Sequence, residues 1–287
     1  METQHIISRR NVFKSSMFGL ISLSIPNLVY ANSNSVTRSY SSETLGKNNR
    51  YPSIDDEIVN DVVGSSHFNF DHVQELVNHR PELARANWDW SFGDWESALG
   101  AASHVGRRDI ANFLISKGAR PNIFTFAMFG NYEVVKSMIE SIPILKTTDG
   151  PHGISLLRHA QAGLRSKDIT GAEKSNNLKL IDYLEELNEN VVQPKYIELT
   201  ELEKEKYMGD YRYGDGEKDG FSIKQNMRKR ITLGKLGNFG GGLYQKAPNV
   251  FSYNGITSVE ITFEEVDGKI LSLTVNEPDL VLKALKV

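Results

Sequence analysis

Seven histidines and no cysteine among 287 residues limit the chemistry open to this chain. Without thiolates, a tightly held metal needs imidazoles and carboxylates. No His-Glu-x-x-His run presents two imidazoles on one helix face. A zinc site would have to gather scattered ligands. His67, His72 and His79 fall within one stretch of helical pattern, and His72 and His79, seven apart, share a helix face. With no carboxylate at matching spacing, a solvent-facing or partly packed role is expected for them, and no metal or cofactor is expected. The run Asp215-Gly216-Glu217-Lys218-Asp219-Gly220 alternates acids as a calcium loop does. Asn226 stands at the twelfth position, where the bidentate glutamate belongs, so the run reads as a hairpin turn. The glycine-rich run Gly234 to Gly242 lacks the Gly-Lys-Ser/Thr ending and the following helix of a phosphate loop, and reads as a loop between strands. No Gly-x-Ser-x-Gly elbow is present. The chain carries no catalytic motif, and a non-catalytic role is expected.

The aromatic chemistry is concentrated. Asn87-Trp88-Asp89-Trp90-Ser91-Phe92-Gly93-Asp94-Trp95 holds all three tryptophans. Exposed tryptophans are over-represented at binding hot spots because each ring covers a large area at low entropic cost. The other reading of this cluster is that the rings plug a junction between helical units.

The element that positions this loop follows it. Ser97 to Asn122, SALGAASHVGRRDIANFLISKGARPN, resembles the ankyrin-repeat pattern without a gap. Matching positions include Leu99, Ala102 and Ser103 in a short first helix, Gly106 at the turn, Asp109, Ile110, Phe113 and Leu114 in a second helix, then Gly118, Ala119 and Asn122. Small residues at Ala101, Ala102 and Ser103 permit tight packing, Gly106 and Gly118 take positive φ at little cost, and Asn122 can bond the backbone that follows. The Pro and His of the family's opening are Ala98 and Gly100 here, so one hydrogen bond between neighbouring fingers is missing. Weaker copies align on the acid that opens each second helix: Asp71, Asp109 and Glu133, with a fourth at Leu178 to Leu184 after Gly153 to Gly163. Four units are expected from about Ser53 to Asn190, with a polar insert around Ile169 to Asn177. The resemblance implies a protein-binding scaffold whose contacts lie on the variable first helices and fingers: Trp88, Trp90, His104, Arg107, Met128 and Phe129.

The N-terminus resembles a twin-arginine export signal: Ser8-Arg9-Arg10-Asn11-Val12-Phe13-Lys14, then an uncharged stretch too short and too polar for a stable membrane span, then Val29-Tyr30-Ala31. The motif residues are Ser8, Arg9, Arg10, Phe13 and Lys14, and cleavage is expected after Ala31. This implies a periplasmic or secreted bacterial protein. Residues 32–52 read as a flexible linker, rich in serine and asparagine. A formal charge of −3 and a pI near 6.2 leave no basic footprint for nucleic acid.

After residues 53–192 the periodicity changes from helical to alternating. Thr200 and Glu203 form a capping signature, and YRY, FSIKQ, RITL, GLYQ, VFSY, SVEITF, ILSLTV and LVLKAL are short alternating runs separated by turns. Residues 196–287 are therefore expected to form a small antiparallel β-barrel or sandwich, giving an α+β chain. The segments YMGDYRYG, FSYNG and VEITFEEVDGKILSLTV resemble small β-domains appended to exported bacterial hydrolases. The expected function is an exported ankyrin-repeat adaptor. The alternative is an envelope enzyme or small-ligand binder whose β-domain holds a cavity lined by Tyr211, Phe221, Tyr244 and Phe251.

Overall fold

In the computed structural model, residues 51–188 and 196–287 are described. The export motif, the cleavage position after Ala31, nearly all of the linker and the expected boundary near residue 192 lie outside the described residues.

The first part consists of four pairs of helices. They are α1 (Asp56–Ser65) with α2 (Phe70–His79), α3 (Ala98–Val105) with α4 (Arg108–Ser116), α5 (Ile123–Phe129) with α6 (Tyr132–Ser141), and α7 (Leu156–Gly163) with α8 (Gly171–Asn188). First helices stack on first helices along the whole row, and among the second helices α2 packs on α4 and α6 on α8. Local signals set the starts: the side chains of Asn69, Ser97, Asn122 and Ser155 each accept a backbone N–H in the first turn of the helix that follows. Gly106 ends α3 at φ +85°, and a Cβ there would meet the Ala162 carbonyl oxygen at 2.0 Å, so both conformation and close approach demand glycine. Ala101, Ala102 and Ser103 are fully buried, as the small-residue pattern requires. One apolar core lies under α1 to α4, around Val62, Val73, Leu99, Ile110 and Leu114, and a second under α5 to α8, around Ile123, Val135, Leu156, Leu180 and Leu184.

Two segments differ from the sequence expectation. Gly171–Asn177, expected as part of a polar insert, forms the first turns of α8, because Thr170 and Glu173 cap it reciprocally. Its last residue, Asn177, is fully buried and donates to the carbonyls of Met128 and Ala160. The tryptophan-rich loop is a hairpin, β1 (Asn87–Asp89) paired antiparallel with β2 (Trp95–Ser97).

The second part opens with α9 (Glu201–Tyr207), closed at its start by the Thr200–Glu203 capping box. Eight strands follow: β3 (Gly209–Arg212), β4 (Gly220–Gln225), β5 (Ile231–Lys235), β6 (Gly241–Ala247), β7 (Val250–Tyr253), β8 (Ile256–Val266), β9 (Lys269–Asn276) and β10 (Val281–Lys286). Each pairs antiparallel with the next and β10 returns to β3, making a closed up-and-down barrel rather than a sandwich. Side chains fill its interior. Tyr211, Phe251 and Tyr253 are almost completely buried, and Tyr207 from α9 meets Phe251 and Phe263 edge to face at centroid distances of 5.0 and 4.8 Å. The roomy cavity of the ligand-binding alternative is not formed by its four expected residues. Tyr211 and Phe251 are core, whereas Phe221 and Tyr244 are only partly buried, with Arg230 over the Tyr244 ring. Among the described residues, no helix is long and apolar enough to cross a membrane.

Candidate metal centre

Four side chains from four separate segments converge between the helices and the barrel: His67, Glu96, His104 and His152. His67 follows α1 in the turn to α2, and its Nδ1 lies 3.0 Å from the Gly64 carbonyl oxygen. A carbonyl only accepts, so Nδ1 donates to it and Nε2 is the ring nitrogen that faces Glu96. Glu96 sits in the middle of β2 with no side-chain exposure, its Oε2 accepting from Trp90 Nε1 at 2.7 Å. His104 is in the last turn of α3. His152 occupies a tight turn between α6 and α7 at φ +62°, a left-handed conformation that a non-glycine residue adopts at a cost of about 1–2 kcal/mol. Asp94 at the hairpin tip holds that turn, with Oδ1 accepting the His152 backbone N–H at 2.9 Å and Oδ2 facing Nδ1 at 2.7 Å. Asp94 also accepts from the amide of Asn254, in the turn between β7 and β8, so this shell ties helices to barrel.

The distances suit a cation. From the carboxylate of Glu96 to the Nε2 atoms of His104, His67 and His152 they are 3.0, 3.4 and 3.4 Å, and one donor atom from each of the four residues lies within 4.8 Å of all the others. Ligand bonds of about 2.0–2.1 Å in a tetrahedron place neighbouring donors about 3.4 Å apart. Glu96 Oε1 and His104 Nε2 are buried and face each other without a hydrogen bond, as two donors to a shared ion would. The orienting contacts, Gly64 carbonyl on His67 and Asp94 carboxylate on His152, are of the kind that fixes imidazole ligands at metal sites.

Burial opposes charge on Glu96, yet the close imidazoles of His104 and His152 outweigh it and hold the carboxyl far below the usual range. Burial likewise opposes the charge on His152, and its bonds to Asp94 and Glu96 overcome this, raising it to about 9. For His104 burial wins over Glu96 and the value falls. His159, fully buried behind the centre with Nδ1 on the Ser155 carbonyl and an unpartnered Nε2, is pushed down to about 4 by burial.

The expected partner-contact residues do not share one open face. His104 belongs to the centre. Met128 is fully buried, so no partner can touch it in this fold. Trp88 and Trp90 pack partly buried against the first core, as in the plugging alternative, and Trp95 is the tryptophan left 63% exposed. Arg107 bridges to Asp109 and the Phe68 carbonyl, and Phe129 lies partly buried under the Arg108 guanidinium. Neither His72, bonded to Asp61, nor the exposed His79 joins the centre. His67 does, contrary to the packed or solvated role expected for it. Glu96, His152, Asp94 and Asn254 were not legible as site residues, because positions 67, 96, 104 and 152 share no local period.

Asp94 and Asn254 also border a cleft of about 410 Å³, enclosed by the hairpin, residues 149–153 and the β7–β8 turn. There the barrel presses closely on the helical part: a Cβ on Gly255, at φ +81°, would stand 2.8 Å from the Gly153 Cα, and Phe92 meets Tyr253 edge to face at 4.9 Å. No protein-family model matches this chain, and neither a curated protein nor a solved structure shows significant similarity to it.

Proposed function

We propose that this chain is an exported, non-catalytic binding scaffold in which a divalent transition metal, held by His67, Glu96, His104 and His152, fastens an ankyrin-type helical stack to the β-barrel. The observation that carries the metal is the convergence of three imidazole Nε2 atoms on a fully buried carboxylate, with two of the facing donor atoms unpartnered. Imidazole and carboxylate donors without thiolate suit zinc and its first-row neighbours. Four protein donors complete a tetrahedron and leave no open position, which is the structural rather than the catalytic type. The fastening follows from the His152–Asp94–Asn254 chain of bonds, which runs from the centre into the barrel. Paired helices, the glycine turns and a projecting hairpin support the ankyrin-type reading. The filled barrel interior favours a binding surface outside the barrel over one within it.

Titration of the metal-free protein with Co²⁺, read by the visible bands of tetrahedral cobalt, tests this. One ion per chain is expected. His104→Ala and Glu96→Gln should abolish the bands, and Asp94→Asn should weaken binding by roughly 10–100-fold through loss of the orienting carboxylate. A wild-type protein that shows no saturable binding sinks the metal. The cluster is then an ion-paired network with an imidazolium at His152 between Asp94 and Glu96.

A further inference from the structure

The cleft between the hairpin and the β7–β8 turn carries chemistry of its own. Its volume, about 410 Å³, falls in the range of small-molecule sites, and it lies where two parts of the fold meet, a common place for them. Its walls bear the carboxyl groups of Asp94 and Asp149 and not one lysine, arginine or histidine side chain. Asp94 is already committed to His152 and Asn254. Asp149 is not: among the described residues it makes no hydrogen bond or ion pair, and its carboxyl is raised above the ordinary range by partial desolvation alone. The same cleft is lined by two aromatic residues, Phe124 and the largely exposed Trp95. A large apolar ring left open on a concave wall, beside an unpaired carboxylate, is wasted on an anion and poorly matched to a purely apolar ligand.

We propose that this cleft binds a small organic cation of the substituted-ammonium class, with Trp95 and Phe124 against its alkyl groups and the Asp149 carboxylate supplying the counter-charge. Indole faces attract such ions through the ring quadrupole, most strongly when water is partly excluded. The exposed Asn122 adds a polar group at the rim for a hydroxyl or carbonyl on the same molecule. The inference rests on the metal-fastened scaffold only for the position of the barrel wall, since none of the four metal-binding side chains lines the cleft.

Calorimetric titration of the full chain with choline tests it, beside 3,3-dimethylbutan-1-ol, the same shape without the charge, and beside glucose. Saturable binding of choline is expected, with the neutral isostere at least roughly tenfold weaker and glucose silent. Trp95→Ala and Asp149→Asn, both at exposed positions and therefore compatible with folding, should each weaken choline by roughly tenfold while leaving Co²⁺ binding unchanged. No binding of choline to the wild type, equal binding of the isostere, or choline affinity indifferent to both substitutions would each overturn the site. Choline binding that survives chelation upholds the cleft and counts against the metal as fastener. Binding lost on chelation and restored by zinc upholds both.

Discussion

Asn177 is a single amide on which three elements depend. Its Nδ2 satisfies carbonyls at the end of α5 and in α7, its Oδ1 accepts from Arg108 of α4, and it is fully buried. Replacing it with alanine removes three buried hydrogen bonds and leaves the Met128 carbonyl with only its Arg108 bond, a loss of about 2–4 kcal/mol. The melting temperature of Asn177→Ala, followed by far-ultraviolet circular dichroism, should therefore fall by several degrees. A melt coincident with wild type would mean that water replaces the amide. Asparagine here had no sequence signal, because an amide within a polar run looks solvated until the helix that carries it is placed. His67 and His104 were hidden for a related reason: their partners Glu96 and His152 come from a strand and a turn with no period in common. By contrast Gly106, Asn122 and the Thr200–Glu203 box act through neighbours in sequence, and their roles were legible residue by residue.

Between elements, one bond is sensitive to pH in a range apart from the candidate metal centre. Asp61 of α1 and His72 of α2 meet at 2.8 Å. The Asp61 hydrogen bond raises His72 above its ordinary 6.5 against the effect of burial. Burial opposes the charge on Asp61, but the His72 bond prevails and lowers it below 3.8. The raised histidine stabilises fully below pH 6.5 and loses its contribution as pH climbs through the folded value. The depressed aspartate stabilises above pH 3.8 and loses its part as pH falls through its own folded value. The bond between α1 and α2 is thus worth most between those limits. Because both groups are about a third exposed, it amounts to less than about 1 kcal/mol. Denaturation of His72→Gln should show a deficit near pH 5.5 that vanishes toward pH 9, and a deficit constant with pH would rule out the charge. Most elements were themselves legible, because helix caps and strand alternation are local. The β1–β2 hairpin was not, since this stretch read as a loop whose tryptophans could face a partner or plug a junction, until Glu96 and the core beneath supplied partners for the Trp90 and Trp88 rings.

For the molecule as a whole, the shell around the candidate centre predicts cooperation between helices and barrel. With zinc bound, thermal unfolding should proceed as a single calorimetric transition. After chelation, or in Asn254→Ala with zinc present, two transitions should separate, one reporting the barrel aromatics and one the helices. Two transitions under every condition would show that the parts are independent. Closure of the barrel also has a consequence in time. β3 finds one of its two neighbours only when β10 exists, whereas the helix pairs close through contacts near in sequence. All four donors of the candidate centre lie between His67 and His152, ahead of the first barrel strand β3. During synthesis the ion would therefore be captured by a chain whose barrel is not yet made, and the barrel would dock last, onto a centre already loaded.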